Sequence, residues 1–423
     1  GPAKIAVISS ALLGTISGNS VQNVATTGAV TIPLMKKTGY PSYFAGAVEA
    51  VASTGGQFLP PIMGAAAFIM AELLSISYSK VVIAATIPAL LYFTSVFFMV
   101  DLEAVRLGLK GVDKKEVPNI KDVLKKGGHL LIPIIVLVYL LIGVRMSVTR
   151  AGLISTILIV IVSWLKKDTR MGLDKIIKAL NEGARSCVGI AAVIATAGII
   201  VGAVGMTGLG MRFSSVILNI AKDNLYLVAL FTAMICIVLG MGLPTTAAYI
   251  ISVSVAAPTM LRAGVDPLAA HLFVFYYAAI STITPPVAAA SYTASAIAQS
   301  PVMKTGLYAT MLGTAGYIVP FLFITSPELL MQGNLVAVIW TCLTAVIGLS
   351  ILAMVAEGVC YFGGFKWNKI QRIIFGISCM GLIIPGVLTD LCGVILFVIA
   401  VFLSSDVRKK FFNIKRSKNK NIS

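Results

Sequence analysis

Two clusters of oxygen-bearing side chains lie inside otherwise apolar stretches of this 423-residue chain, at places where a helix would have to break. The first is Ser17-Gly18-Asn19-Ser20, with Gln22, Asn23, Thr26 and Thr27 close behind it. The second is Gly240-Met241-Gly242-Leu243-Pro244-Thr245-Thr246. Each is followed by a further interrupted segment: Ser53-Thr54-Gly55-Gly56-Gln57-Phe58-Leu59-Pro60-Pro61 after the first, and Ser281-Thr282-Ile283-Thr284-Pro285-Pro286 after the second. Glycine admits unusual dihedrals and proline removes a backbone N–H, so both open the helical ladder. Asn, Gln, Ser and Thr then supply oxygen ligands beside the freed carbonyls. A half-helix that restarts after a double proline offers unpaired N–H groups and a positive dipole end, which suit an anion.

A lone Ser or Thr in an apolar helix usually makes an interhelical hydrogen bond, and a lone proline usually makes a kink. The pattern here is denser than either. With an offset of 225, Pro33 falls on Pro258, Met35 on Met260, Lys37 on Arg262, Gly39 on Gly264, and Pro60-Pro61 on Pro285-Pro286. Broken helical backbone in hydrocarbon costs several kcal/mol per unsatisfied group, so such breaks persist only where protein, a cavity or a ligand satisfies them. Matching breaks in two halves of a membrane chain point to a secondary transporter with its site at the breaks.

The elements that carry these breaks must be membrane helices. The chain is 58% hydrophobic and 12% charged, with a mean hydropathy of +0.96. A water-soluble protein of this size cannot hide that much apolar surface. Lys80–Val100, Leu130–Val144 with its neighbours, Thr305–Thr325 and Leu335–Ala356 approach or reach the length of a membrane crossing. They lack period-2 alternation, which predicts an all-α polytopic fold and not a barrel. The cysteines, Cys187, Cys236, Cys342, Cys360, Cys379 and Cys392, have no metal-ligand or redox spacing and read as small core residues. The net charge of +17 comes from basic residues in the segments between spans, Arg106 to Lys126, Lys166 to Lys178, Lys366 to Arg372 and Arg408 to Lys420. That is the positive-inside pattern of cytoplasmic loops, with a tail able to rest on anionic lipid, and it argues against nucleic acid as a partner.

The organisation follows from these features: a first repeat core over residues 1–100, a charged cytoplasmic connector over 101–127, scaffold helices and an interfacial helix over 128–224, a second repeat core over 225–326, further membrane helices over 327–405 and a basic cytoplasmic tail over 406–423. Lys166–Arg185 reads as an amphipathic surface helix through Met171, Ile176, Ile177 and Leu180, and Cys187–Leu209 as a separate span. Residues 305–326 and 335–357 read as plain spans, and Ile373–Leu403, containing Pro385-Gly386 and Asp390, as two short ones. Residue 1 corresponds to Tyr226 in the repeat, so the expectation is a fragment that lacks N-terminal scaffold helices. Orientation tests the repeat: Lys80–Val100 runs into the basic Arg106–Lys126 region, whereas Thr305–Thr325 runs into Ser326-Pro327-Glu328 with no basic cluster. Equivalent helices then point opposite ways, which predicts inverted repeats.

Enzyme constellations do not stand out. His129 and His271 have no neighbouring Cys, His, Asp or Glu set for a metal. Glu49, Glu72 and Glu357 are the carboxylates at risk of burial, and Glu49, just before the Gly55–Pro61 break, could hold a proton or brace the scaffold. Arg145 and Arg150 read either as an anion-attracting outer mouth or as a solvated boundary.

At SGNSVQNVATTGAVTIPLMKKTGY with GQFLPPIMGAAAF, and at GMGLPTTAAYI with STITPPVAAASYTASA, the chain resembles the large membrane subunit of tripartite ATP-independent periplasmic (TRAP) transporters. It looks closest to the fused permeases that work with TAXI-type solute-binding proteins, and the resemblance covers essentially the whole chain. The resemblance implies re-entrant hairpins with tips near Ser17–Ser20 and Gly240–Thr246, unwound helices near Gly55–Pro61 and Thr282–Pro286, and an elevator-type motion in the inner membrane. It implies sodium near Gly18, Asn19, Ser20, Gly56, Gly242, Thr245, Thr284 and Pro285, with protons as the other coupling ion and no bound cofactor. A small organic anion, a C4-dicarboxylate or related carboxylate, would sit between the tips, with substrate and cation together drawing on the set Ser17, Gly18, Asn19, Ser20, Gln22, Gly56, Gln57, Pro60, Pro61, Gly242, Pro244, Thr245, Thr246, Thr284, Pro285 and Pro286. The implied partners are a periplasmic binding protein and a small membrane subunit, fused upstream or separate. Two other readings stand beside this one: an inverted-repeat carrier that needs no binding protein, and an integral-membrane enzyme or non-transporting scaffold.

Overall fold

The computed structural model describes residues 1–109, 121, 125, 127–222, 224–358, 369–383 and 386–402. Most of the charged connector, Cys360, Lys366, Pro385 and the tail over 406–423 lie outside the described residues. Among the described residues every regular element is a helix. The first five are α1 (Pro2–Ser17), α2 (Ser20–Lys37), α3 (Ser42–Gly56), α4 (Gly64–Leu73) and α5 (Tyr78–Leu107). Then come α6 (Ile132–Val138), α7 (Val148–Ser163), α8 (Leu173–Thr207) and α9 (Leu209–Ala221). A second set follows: α10 (Leu225–Gly240), α11 (Thr245–Arg262), α12 (Pro267–Ile280), α13 (Ala289–Ala298), α14 (Val302–Leu312) and α15 (Thr314–Thr325). The chain closes with α16 (Leu335–Glu357), α17 (Lys369–Ile383) and α18 (Val387–Phe402).

The sequence offset recurs in the element boundaries. Adding 225 to the bounds of α2 gives those of α11, and adding it to the bounds of α4 gives those of α13. Both double prolines, Pro60-Pro61 and Pro285-Pro286, join through cis peptide bonds in the gaps before α4 and α13. The turns after α2 and α11 are also equivalent: Gly39 and Gly264 both take positive φ, at 101° and 84°.

Helices α3 and α12 are buried on every face, including Glu49, Ser53 and Thr54 of α3 and His271 of α12, and form the centre. Phe44 through Gly56 and Ala269 through Ile280 are buried without interruption, as expected of predominantly apolar helices enclosed by others. The two sets interlock around them. Helices α13 and α14 of the second set pack on α3 beside α1 and α2, while α4 of the first set reaches α11. Tyr92 of α5 donates to the Val51 carbonyl at 2.9 Å and stands edge-on to Phe58, fixing α5 against the end of α3.

Four helices of the described residues are long and apolar enough to cross a membrane: Tyr78–Leu107, Leu173–Thr207, Val302–Thr325 taken through its bend, and Leu335–Glu357. With the shorter apolar helices around them, they make a multi-spanning α-helical membrane protein. Three expectations need correction. The surface helix Lys166–Arg185 and the span Cys187–Leu209 are one helix, α8, preceded by a short turn at Lys167–Thr169. Nothing between Arg185 and Cys187 breaks the ladder, and Ser186 Oγ bonds back to the Glu182 carbonyl at 3.0 Å. The plain span at 305–326 is bent at Gly313, where Ile283 Cδ1 would stand 2.7 Å from an added Cβ. Finally, α5 continues past Val100 to Leu107, so the connector starts later; Leu102 and Glu103 are fully buried, and α16 packs along α5.

Candidate functional site

Each break has a local cause. α1 ends at Gly18, whose φ of +63° is left-handed, a conformation that favours glycine. Asn19 then caps α2: its Oδ1 accepts from the N–H groups of Val21 at 3.0 Å and Gln22 at 3.2 Å. The sequence reading gave Asn19 a ligand role; in the structure its side-chain oxygen is engaged by the helix it starts. On the other side, α10 stops at Gly240, and Pro244 precedes the first turn of α11, where a proline restricts the residue before it and ends a helix.

The gap after α3 is held by a residue that the sequence did not flag. Thr15 Oγ1 donates to the Leu59 carbonyl at 2.6 Å and accepts from the N–H groups of Ile62 at 3.2 Å and Met63 at 3.4 Å. Tyr78 Oη donates to the carbonyls of Pro61 at 2.9 Å and Ile62 at 2.5 Å. In the second set, Thr284 Oγ1 donates to the Ile280 carbonyl at 2.8 Å and stands 2.5 Å from Tyr317 Oη, and Tyr292 bonds the Pro286 carbonyl. Thr284 stands in the expected set, but a lone Thr15 or Tyr78 in an apolar helix leaves no local trace of such a role, so sequence alone has no signal for them.

The four breaks meet. Ser20 Oγ donates to Thr282 Oγ1 at 3.3 Å, and Thr54 Oγ1 stands 3.2 Å from the same atom. Thr245 Oγ1 donates to Gln57 Oε1 at 2.9 Å. Close approaches bring the tips in: a Cβ at Gly18 would stand 2.5 Å from the Gly64 backbone at Cα, and one at Gly240 would stand 2.5 Å from the Ser281 side chain at Oγ. Thus Ser20, Gly56, Gln57 and Thr245 are buried at one junction, with Ser17, Gly18, Asn19, Pro60, Pro61, Thr246, Thr284 and Pro285 partly exposed around it. Gln22, Gly242, Pro244 and Pro286 are exposed at its edges. Gln57 is 1% exposed, and its Nε2 has no acceptor, so one buried donor faces the junction unused.

Glu49 lies one helical stretch deeper, fully buried within a ring of hydroxyls from Ser10, Thr27, Thr31 and Ser53. Glu357 is buried, whereas Glu72, Arg145 and Arg150 are exposed. Arg145 lines a cleft of about 670 Å³ with Glu72, Ser77 and Thr149.

Interrupted helices converging on buried polar side chains within an apolar bundle define a multi-spanning membrane protein built around its breaks. Residues 1–338 match the family described as tripartite ATP-independent periplasmic transporter, DctM component, and the chain belongs to that family. That family is one of transport components and not of enzymes. It is similar to a protein named a TRAP transporter large permease in Haemophilus influenzae, with 24% identity over 284 residues, 67% of this chain and 66% of that one. It is also similar to the isethionate TRAP transporter permease DctMQ of Oleidesulfovibrio alaskensis, with 24% identity over 289 residues, 67% of this chain but 44% of that one. A third relative is the C4-dicarboxylate TRAP transporter large permease DctM of Pseudomonas aeruginosa, 22% identical over 309 residues, 72% of this chain and 70% of that one. The chain thus matches just under two thirds of the first of these proteins and under half of the second.

Proposed function

We propose that this chain is the transport subunit of a secondary active transporter that moves small organic anions, C4-dicarboxylates or related carboxylates, across the inner membrane in symport with a cation. The carrying observation is the junction itself, where two breaks from each repeat meet through Ser20, Thr54, Thr282, Gln57 and Thr245. Carbonyls at Gly18, Gly242 and Pro285, those of Asn19 and Gly56 that also accept from the Asn23 and Leu59 N–H groups, and hydroxyls of Ser20, Thr245 and Thr284 form an oxygen-rich lining suited to sodium. The unused Gln57 N–H and the starts of α4 and α13 suit a carboxylate. Two of the relatives are named for isethionate and a C4-dicarboxylate, both small organic anions.

The recurrence of element bounds at one offset, with basic residues after α5 but none after α15, supports inverted repeats. In an elevator, one repeat pair carries the junction across the membrane against a scaffold, with the C-terminal tail in the cytoplasm. Delivery by a periplasmic TAXI-type binding protein, with a small membrane subunit either fused upstream or separate, completes the assembly.

The test is initial uptake of radiolabelled succinate into vesicles holding this chain with its small subunit and binding protein, measured against sodium concentration. Saturable sodium dependence that weakens in Asn19→Ala and Thr245→Ala, at unchanged protein level, supports the reading. Unchanged cation affinity in both variants refutes it. Uptake that persists without the binding protein supports the carrier that works alone.

A further inference from the structure

The Glu49 carboxylate sits where three helices meet. It accepts from Ser10 of α1 at 2.6 Å, from Thr31 of α2 at 2.5 Å, from Ser53 of α3 at 3.2 Å, and from Thr27 of α2. Gly28 gives it room, since a Cβ there would stand 3.1 Å from Glu49 Cγ. Asn23 braces the ring, donating through Nδ2 to the Ser10 carbonyl at 2.8 Å and to Ser53 Oγ at 3.0 Å. Its own Oδ1 is buried without a donor.

The second repeat has no such ring. The 225 offset puts Val274 in place of Glu49, and Ile235, Ser252, Ala256 and Ala278 in place of Ser10, Thr27, Thr31 and Ser53. Val274, Ala256 and Ala278 are as deeply buried as their counterparts. Apolar packing therefore holds the same three-helix arrangement there. A buried polar set replaced as a whole by well-packed apolar residues of similar volume often leaves stability little changed. The fold does not require an acid at position 49, and an acid in a membrane helix is costly and commonly functional.

The spacing selects the ligand. The hydroxyls reach the carboxylate at hydrogen-bond distance, and Ser10 Oγ also stands 3.0 Å from Thr27 Oγ1. Hydrogens fill the gaps between these oxygens, so a metal ion would have to push the ring apart. A proton needs only hydroxyl rotation. Thr27 can swing its hydrogen to the Asn23 carbonyl at 2.8 Å, and Thr31 to the Thr27 carbonyl at 3.0 Å. Whichever carboxyl oxygen takes the proton then donates its one hydrogen to the hydroxyl freed beside it, Thr27 at Oε1 or Thr31 at Oε2.

The charged and titratable groups on the surrounding helices are engaged elsewhere. Lys4 of α1 pairs with Asp101 of α5, and Lys36 of α2 donates to the Ala298 carbonyl of α13, while Lys37 is exposed. On α5, Glu103 pairs with Arg106 and Tyr92 bonds Val51. Tyr292 of α13 bonds Pro286, and on α14 Lys304 lies over the Tyr43 ring, beside Tyr308. Among the described residues, no cationic side chain bonds to Glu49.

We propose that Glu49 is a proton-binding site whose occupancy is set by how the α1–α2 hairpin seats on α3. The ring draws hydroxyls from all three helices, so any motion that lifts the hairpin strips donors from a carboxylate that water does not reach. By linkage, the proton in turn biases the hairpin. The inference deepens the transport reading by adding a proton to the ions that the chain handles.

The test is infrared difference spectroscopy of the purified full chain in lipid vesicles, titrated with acid and read at the carbonyl stretch of a protonated carboxylic acid in an apolar site. The wild type should gain this band on acidification. Glu49→Gln should lose it, and Glu72→Gln, at an exposed position, should keep it. Should Glu49→Gln fail to fold, Glu49→Asp retains the acid and should shift both the band and its midpoint. Thr31→Val, which deletes one donor from the hairpin, should also move the midpoint. A wild type with no titrating band, or a band indifferent to substitution at position 49, overturns the proposal; an unmoved midpoint in Thr31→Val overturns the hairpin linkage. Because protonation is read without uptake, failure of anion transport would sink the transport reading and leave this result standing.

Discussion

Thr245 Oγ1 donates to Gln57 Oε1 at 2.9 Å, joining the first turn of α11 to the gap that follows α3. The two residues are far apart in sequence, one in each repeat. Among the described residues no other side-chain hydrogen bond ties these two breaks, and the Gln57 side chain offers only its oxygen to the protein, since its Nε2 has no acceptor. The contact holds the amide with its free donor turned into the junction.

Thr245→Val should therefore cost more than an exposed hydrogen bond would, because it orphans the buried Gln57 Oε1 as well. Both ends of the Gln57 amide would then be buried without partners, at a cost of about 1–3 kcal/mol. The midpoint of thermal unfolding in detergent should fall, and Thr245→Ser should restore it. Apparent cation affinity in the uptake assay should weaken in Thr245→Val and recover in Thr245→Ser.

Asn19 separates capping from ion binding. Asn19→Ala removes the cap of α2, worth about 0.5–2 kcal/mol, whereas Asn19→Asp keeps an oxygen for the Val21 and Gln22 N–H groups. Thermal stability should drop in the alanine variant alone. If cation dependence follows stability across both variants, Asn19 acts by shaping the tip; if Asn19→Asp alters cation affinity at unchanged stability, its side chain also faces the ion.

Gly18 and Gly208 share a left-handed backbone, with φ of 63° and 65°, but not a neighbourhood. A Cβ at Gly18 would stand 2.5 Å from Gly64 Cα, whereas nothing lies within 4 Å of one at Gly208. Gly208→Ala should cost only the backbone penalty, about 1–2 kcal/mol. Gly18→Ala should cost clearly more, because backbone must shift where α1 crosses the start of α4. Equal losses of unfolding temperature would show that the crossing can relax.

Glycine and proline made the breaks legible in the sequence, because both change backbone geometry wherever they stand; the bounds of α2 and α11 follow from them. Residues that act only through distant partners were not legible. Thr15 clamps the gap after α3 from another helix, and nothing in its neighbours announces this. The run from Asp101 to Arg106 looks like the start of a solvated connector, yet Glu103 is fully buried and α16, more than two hundred residues later, packs along α5. α8 read as two elements because its charge changes at Arg185, although charge alone does not break a helical ladder.

Glu103 and Arg106 give the last prediction. Glu103 is fully buried; Arg106 Nη2 donates to its Oε1 at 2.7 Å, and Nε lies 2.5 Å from Oε2 as an ion pair outside hydrogen-bond alignment. The Arg106 side chain is 34% exposed, so water shares its charge. The carboxylate has no such relief. Arg106→Met should strand it under α16 and cost about 3 kcal/mol, the lower end for breaking a buried pair. Replacing both, Glu103→Leu with Arg106→Met, removes the stranded charge and should recover most of the loss. Thermal unfolding in detergent of the two single variants and the double reads the coupling directly. Additive losses would mean that the pair is no more than a surface contact at the end of α5.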